Sequence, residues 1–365
     1  MTPLDICGQR LAHQHLARQS LEKASEVVAL LGAVQAQDYS GAKWGLAQRT
    51  QGATESAVEK EITDGAILRT HVLRPTWHFV APADIRWMLK LTAPRVKAIL
   101  AHYDRQLGVD AAVLRKSRAV LTKALRDGNQ LTRSELAREL TKARIRADGT
   151  ERLARLMMHA ELDGLICSGA RRGKQFTYAL LDERVPPMKE LERDAALFEL
   201  AIRYFTTRGP ATIDDFAWWS GLSKTDARRG VQAAETRLEH EVVGGRQYWF
   251  THAARSTKAK SPVARLLPAY DEYFIGLKDR SAMQAKLERS GVKPSDDFIF
   301  SRALIIDGQI VGGWKPALKG KSVAVELMLL TVLGKAGRRS VAHEVERFGA
   351  FLELPATPPV IEVAA

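Results

Sequence analysis

The chain has 365 residues and carries 55 Lys/Arg against 42 Asp/Glu, a net charge of +13 with a pI near 9.8. A hydrophobic content of 45% supplies packed cores, which excludes a disordered basic tail, and the surplus of positive charge points to a polyanionic partner, nucleic acid before membrane. The most apolar stretch, Val323 to Leu333, is short and contains Glu326, no charged N-terminal region precedes an apolar run, and Cys7 and Cys167 have neither disulfide nor metal spacing; the expectation is a cytoplasmic protein without metal or cofactor.

Apolar residues at helical period predict helices over Leu4 to Leu16 and over Ser25 to Gln37, the second presenting Val27, Val28, Leu30, Leu31 and Val34 on one face. Glu55 to Asp64 is a third. After Gly65 the β-branched and aromatic run from Ile67 to Val80, broken at Arg74-Pro75, reads as a hairpin or strand pair. Three helices followed by a β-ribbon is the order of a winged helix.

The order recurs. Ser117 to Arg126 is amphipathic, Thr132-Arg133-Ser134-Glu135 is a capping box that opens a second helix, and Glu151 to Leu162 is a third. Strands over Leu165 to Cys167 and Phe176 to Leu180 then flank the basic tip Arg171-Arg172-Gly173-Lys174. It recurs again after Val185-Pro186-Pro187, with a helix from Ala195 to Thr207 stopped at Gly209-Pro210. Thr212 to Asp215 and Ser223 to Asp226 cap two more helices, and Leu238 to Val243 and Gln247 to Phe250 flank the hairpin turn Gly244-Gly245.

The last hundred residues change character. Phe298 to Ile306 and Gln309 to Trp314 flank an Asp307-Gly308 turn, Val323 to Leu329 alternates as a strand, and Ser340 to Leu352 is a helix. The fold class expected is α+β, with three tandem winged-helix units plus a C-terminal β-rich module. The units are residues 1–105, a basic second unit over 106–185, a third over 186–262, and the module over 263–365.

Charge concentrates in the second unit. From Arg115 to Arg155 there are 12 Lys/Arg against 5 Asp/Glu, a surplus of over half the net charge. Arg133 and Arg152 in this stretch, with Arg171, Arg172 and Lys174 at the tip, are therefore expected to meet phosphates. In the first ribbon His71 and His78 flank Arg74. Zinc lacks a third ligand at suitable spacing, which leaves the imidazoles either buried and hydrogen-bonded or close to DNA.

Gln35-Ala36-Gln37-Asp38 closes the second predicted helix. Two residues along a helix is about 200°, so these amides bracket one target only if the helix loosens, and Tyr39-Ser40-Gly41 is where it is expected to end. An amide can orient water but cannot take its proton, so such a pair suits a reaction whose leaving group is already good. Two surface amides near a helix end, with Asp38 as a helix-terminating Asx turn, is the plain alternative.

These blocks together resemble a known family. Gln35-Ala36-Gln37-Asp38, the ribbon from Thr70 to Val80, Tyr204-Phe205 with Gly209-Pro210-Ala211-Thr212, Trp218-Trp219-Ser220-Gly221-Leu222, and Leu267-Pro268-Ala269-Tyr270-Asp271-Glu272 with Asp279-Arg280 resemble the AlkZ-like DNA glycosylases, in the family's order. The resemblance implies tandem winged helices forming a concave basic surface around damaged duplex DNA. It also implies excision of N-alkylated purines, in some members from bulky adducts or interstrand crosslinks. Gln at both positions of the motif, rather than the Asp that the YcaQ clade has at the second, is similar to the AlkZ clade. It implies Gln35 and Gln37 as water-positioning catalytic residues.

The chemistry agrees with this implication. Alkylation at N7 or N3 makes a purine cationic and weakens its glycosidic bond, so two neutral amides holding a water suffice, with Asp38 as a nearby acid to lend negative potential or accept the proton. The alternative from another class is a non-catalytic winged-helix DNA-binding regulator, and a third is an RNA-processing scaffold. Regulators commonly dimerise on pseudo-palindromes, whereas three different winged units in one chain favour a monomer around a single site.

Overall fold

The computed structural model describes residues 1–147, 149–188, 190–251, 262–289 and 302–363. The described architecture is α+β, as expected. Two compact units divide it: residues 1–59, 197–219 and 223–365 form one, and residues 60–196 with 220–222 form the other. No helix among the described residues is long and apolar enough to cross a membrane.

In chain order the first unit opens with α1 (Pro3–His13), capped by Thr2 and Asp5, and α2 (Ala24–Leu31). The expected continuation of α2 to Gln37 does not occur. Gly32 takes φ +79, a left-handed value that glycine adopts without a Cβ penalty, and the chain leaves the helix there as β1 (Ala33–Gln35). A helix then begins where the sequence suggested an end: α3 (Tyr39–Ala47) is capped by Asp38, whose carboxylate accepts from the Gly41 N–H at 3.1 Å. Helix α4 (Glu55–Thr63) follows.

The second compact unit contains the hairpin β2 (Leu68–His71) and β3 (Trp77–Val80), paired antiparallel with Thr70 opposite His78. The long helix α5 (Pro82–Gln106) comes next; it was not expected from periodicity. Then come α6 (Ala111–Leu125), β4 (Leu131–Thr132), α7 (Arg133–Lys142), α8 (Thr150–Leu162), β5 (Ile166–Ser168) and β6 (Thr177–Leu180), three helices with a sheet in the order β4-β6-β5. Leu121, Leu125, Leu136, Leu140, Leu156 and Ile166 are their fully buried centre. The Thr132–Glu135 capping box forms as read from the sequence. A short helix, α9 (Leu181–Arg184), follows β6 directly.

Helices α10 (Arg193–Arg208), α11 (Ile213–Ser220) and α12 (Lys224–Ala234) then lead to the hairpin β7 (Glu239–Val243) and β8 (Arg246–Phe250), turned at Gly244-Gly245 with φ +57 and +77. The C-terminal module is a five-stranded sheet. Its strands β9 (Ala264–Leu267), β10 (Ala303–Ile306), β11 (Gln309–Lys319), β12 (Ser322–Leu329) and β13 (Val360–Val363) run in the order β13-β12-β11-β10-β9. The pairs are antiparallel except β12 with β13. The first expected strand began at Phe298, and its part up to residue 301 lies outside the described residues. Helices α13 (Glu272–Ile275) and α14 (Ser281–Arg289) lie between β9 and β10, and α15 (Lys335–Phe351) follows β12.

Helix α3 docks onto this sheet. Its Trp44 is buried, donates from Nε1 to the Leu266 carbonyl at 2.7 Å, and packs edge-on against Phe348 of α15 at 5.1 Å. Gln48 donates to the same carbonyl and to Glu344. The consequence for the site is that the turn joining β1 to α3, which carries Gln37 and Asp38, leaves from a strand and enters a helix that are both anchored.

Candidate active site

Gln35 is the last residue of β1 and is buried, whereas Gln37 lies two residues beyond on the exposed turn. The motif is therefore not helical. Gln35 ends the extended chain and Gln37 sits on the bend after it, so a strand end and a turn, not helical rotation, set the two residues.

Two buried ion pairs fix this turn from either side. Glu272 accepts the Gln35 backbone N–H at 2.8 Å with Oε1, while its Oε2 accepts from the Arg208 guanidinium and from Trp219 Nε1 at 2.9 Å. Arg208 also donates to the Leu31 carbonyl at 2.9 Å and the Ala33 carbonyl at 3.2 Å, and it lies over the Trp219 ring at 4.2 Å. Both side chains are fully buried. Next door, Asp271 receives Arg49 in a two-point contact at 2.8 and 2.9 Å, and Arg49 also donates to Gln14 and to the Gly45 carbonyl of α3. Glu272 thus grips β1 and Asp271 grips α3.

Asp38 caps α3 and also receives Arg302 Nη2 at 3.3 Å. It opens a helix rather than terminating one, which corrects the Asx-turn expectation. Close packing holds it there, since a Cβ added at Gly41 would come within 2.6 Å of Asp38 Oδ2 and 3.1 Å of Pro268.

The basic residues read from the sequence divide by burial and pairing. Arg152 is buried with its guanidinium on the Arg146 carbonyl at 2.8 Å and on the Leu107 carbonyl, so it closes loops instead of presenting charge. His71 and His78 are buried as well. His71 Nδ1 meets Glu161, and His78 Nδ1 meets the Thr76 carbonyl at 2.9 Å. Arg74 sits half-buried in the turn between β2 and β3. Arg172 is exposed but paired with Glu135, and that hydrogen bond, with those from Thr132, holds the Glu135 carboxyl down at about 2.

Arg133, half-buried, and Lys174, exposed, line a cavity of about 500 Å³ together with Trp77, Phe176 and Arg69. Nothing in the sequence pattern sets Arg69 apart from its neighbours on the ribbon. Its guanidinium lies between Trp77 at 4.4 Å and Phe176 at 4.6 Å, and half-buried Arg171 covers Phe176 at 5.0 Å. Among the described residues no group of three or more His, Cys, Asp or Glu is placed to hold a metal ion.

The glutamate, arginine and tryptophan that set the Gln35 strand come from distant blocks of sequence. A match to the DNA glycosylase AlkZ-like family spans residues 28–351. The chain belongs to the AlkZ-like family. Among curated relatives of that family is the interstrand DNA cross-link repair glycosylase of Streptomyces sahachiroi, 28% identical over 325 residues, covering 85% of this chain and 86% of the relative. The solved structure of Streptomyces sahachiroi DNA glycosylase AlkZ superposes with a TM-score of 0.79 at 22% identity, covering 99% of this chain and 100% of that one, which places this AlkZ-like chain in the same fold.

Arg208 and Glu272, which hold the Gln35 strand, are residues that periodicity and spacing do not single out. One signal for them was present. Each is a full charge close to an aromatic run, Arg208 three residues after Tyr204-Phe205 and Glu272 directly before Tyr273-Phe274-Ile275, and a charge buried in such a setting is retained when paired.

Proposed function

We propose that this AlkZ-like protein is a monofunctional glycosylase, acting as a monomer on duplex DNA, that hydrolyses the N-glycosidic bond of cationic N-alkylated purines. Bulky N7-guanine adducts and interstrand crosslinks belong to the same substrate class. The observation that carries the reading is the clamped turn. Gln35 and Gln37 leave a strand pinned by Glu272 and enter a helix pinned by Asp271, so little reorganisation is left for the reaction.

In this reading the N7- or N3-alkylated base departs as a neutral leaving group once the C1′–N9 bond lengthens, so no general acid is needed. The amides of Gln35 and Gln37 hold the attacking water at the anomeric carbon, and an amide oxygen stabilises the oxocarbenium-like sugar. Asp38 contributes negative potential at the same turn and is the nearest group able to take the water's proton. Arg133, Arg171 and Lys174 hold the backbone phosphates, with Arg74 nearby on its turn.

The test is base release from a duplex carrying one N7-methylguanine, under single-turnover conditions. Gln37→Ala and Gln35→Ala should bind this duplex with wild-type affinity and release the base about 100-fold more slowly or worse, as for the loss of a group that acts on the transition state. Wild-type rates in both variants would remove the amides from the mechanism.

A further inference from the structure

The outer face of the C-terminal sheet holds a cavity of about 400 Å³ that the reading above does not use. The strand register explains it. Gly313 of β11 lies opposite Met328 of β12, and Lys315 lies opposite Glu326. On the other side of β12, Glu362 of β13 lies opposite Met328. A glycine in a strand interior adds no side chain to its face, so this stretch of sheet is a floor without filling. Met328, 46% exposed, forms an apolar wall, and Arg302, Lys315, Glu326 and Glu362 contribute polar groups.

The position of the cavity gives it meaning. Arg302 lines it and also donates to Asp38 at 3.3 Å, the residue that follows Gln37. Ala269, another lining residue, follows Pro268, against which the first turn of α3 is packed. The cavity therefore adjoins the amide turn within one compact unit. Its volume lies within the range of small-ligand sites, about 300–1,000 Å³. A methionine wall adapts to irregular shapes, and a guanidinium at the edge can stack on a flat ring.

We propose that this cavity receives the substituent of a bulky purine adduct, the part of the lesion beyond the base, and that Met328 sets how large a substituent is accepted. The inference rests on the excision chemistry proposed above and adds the chemical class of the occupant: a flat, largely apolar group of a few rings. The purine itself and its glycosidic bond stay at Gln35 and Gln37.

Met328→Trp narrows the cavity and Met328→Ala widens it, and the exposure of this side chain keeps both changes off the core. Release of N7-methylguanine and of N7-(naphthylmethyl)guanine is measured for wild type and both variants under single-turnover conditions, with thermal unfolding as a check on the fold. Met328→Trp should slow release of the naphthylmethyl base by about tenfold and leave N7-methylguanine within about twofold, a size discrimination expected of an apolar pocket. Met328→Ala should leave both rates near wild type or favour the larger base. An unchanged ratio of the two rates in Met328→Trp, with N7-methylguanine still released, overturns this inference alone. If wild type releases neither base, the excision reading fails, and the inference fails with it.

Discussion

Arg208 and Glu272 form an ion pair without solvent exposure, and the same carboxylate receives the backbone N–H of Gln35. The pair thereby holds β1 from below by a charge that cannot be released to water. Removing one partner of such a pair leaves the other buried and uncompensated, a loss of about 3–5 kcal/mol. Glu272→Ala should show this as a lowered denaturant midpoint. Glu272→Gln, which keeps the shape and loses the charge, should fall less far and retain DNA affinity while base release slows. A midpoint unchanged in Glu272→Ala would mean that the pair does not hold the strand.

The basic surface lends itself to a salt titration. Arg171→Ala, Lys174→Ala and Arg133→Ala should each weaken binding to every duplex sequence alike. Each should also flatten the log K against log salt slope, by about one unit for every phosphate no longer neutralised. Arg152→Ala should act otherwise, because its guanidinium is spent on the Arg146 and Leu107 carbonyls. It should lower stability and leave the salt slope alone. Equal slopes for all four variants and wild type would move the DNA surface elsewhere.

Arg172 and Glu135 define a pH window. The Arg172 hydrogen bond, ahead of those from the Thr132 backbone and side chain, holds Glu135 at about 2 against an ordinary value of 4.5. A carboxyl depressed on folding adds stability that is fully present above the ordinary value and disappears as pH falls through the depressed one. The difference in thermal midpoint between wild type and Arg172→Ala should therefore be constant near neutrality and shrink between about pH 4.5 and pH 2. A carboxyl ¹³C titration gives the direct reading: in Arg172→Ala, Glu135 should move part of the way back, since Thr132 still donates to it.

Much of this architecture was legible because capping residues and β-branched runs act locally. Thr132 and Glu135, Ser223 and Asp226, and the hairpin from Leu68 to Val80 all appear where the residues predict them. The site was legible in composition and misplaced in geometry. Val34 continues the apolar period of α2, yet Gly32 at φ +79 ends that helix, so Gln35 and Gln37 belong to extended chain and turn. The sequence has no way to declare that Glu272, far along the chain, caps the Gln35 N–H. Burial is illegible for a related reason, because net charge along a segment does not reveal which side chains fold inward, as Arg152, His71 and His78 do.

If Gln35 and Gln37 hold water and no strong acid protonates the base, the rate must depend on the positive charge that the lesion brings. N7- and N3-alkylpurines should be released, and neutral lesions such as uracil or 1,N⁶-ethenoadenine should be released poorly or not at all. For the cationic bases, acidification should give little gain in rate, because no proton enters the leaving base in the transition state. One panel of oligonucleotides decides the matter: a small N7 adduct, a bulky N7 adduct and a neutral lesion, each followed for free base and abasic product. Release of the neutral lesion at a rate close to that of the N7 adduct would sink the cationic-leaving-group mechanism and require a general acid at the site. Silence on every lesion, with tight binding to one undamaged sequence, would instead describe a winged-helix regulator that carries the family's fold and has lost its chemistry.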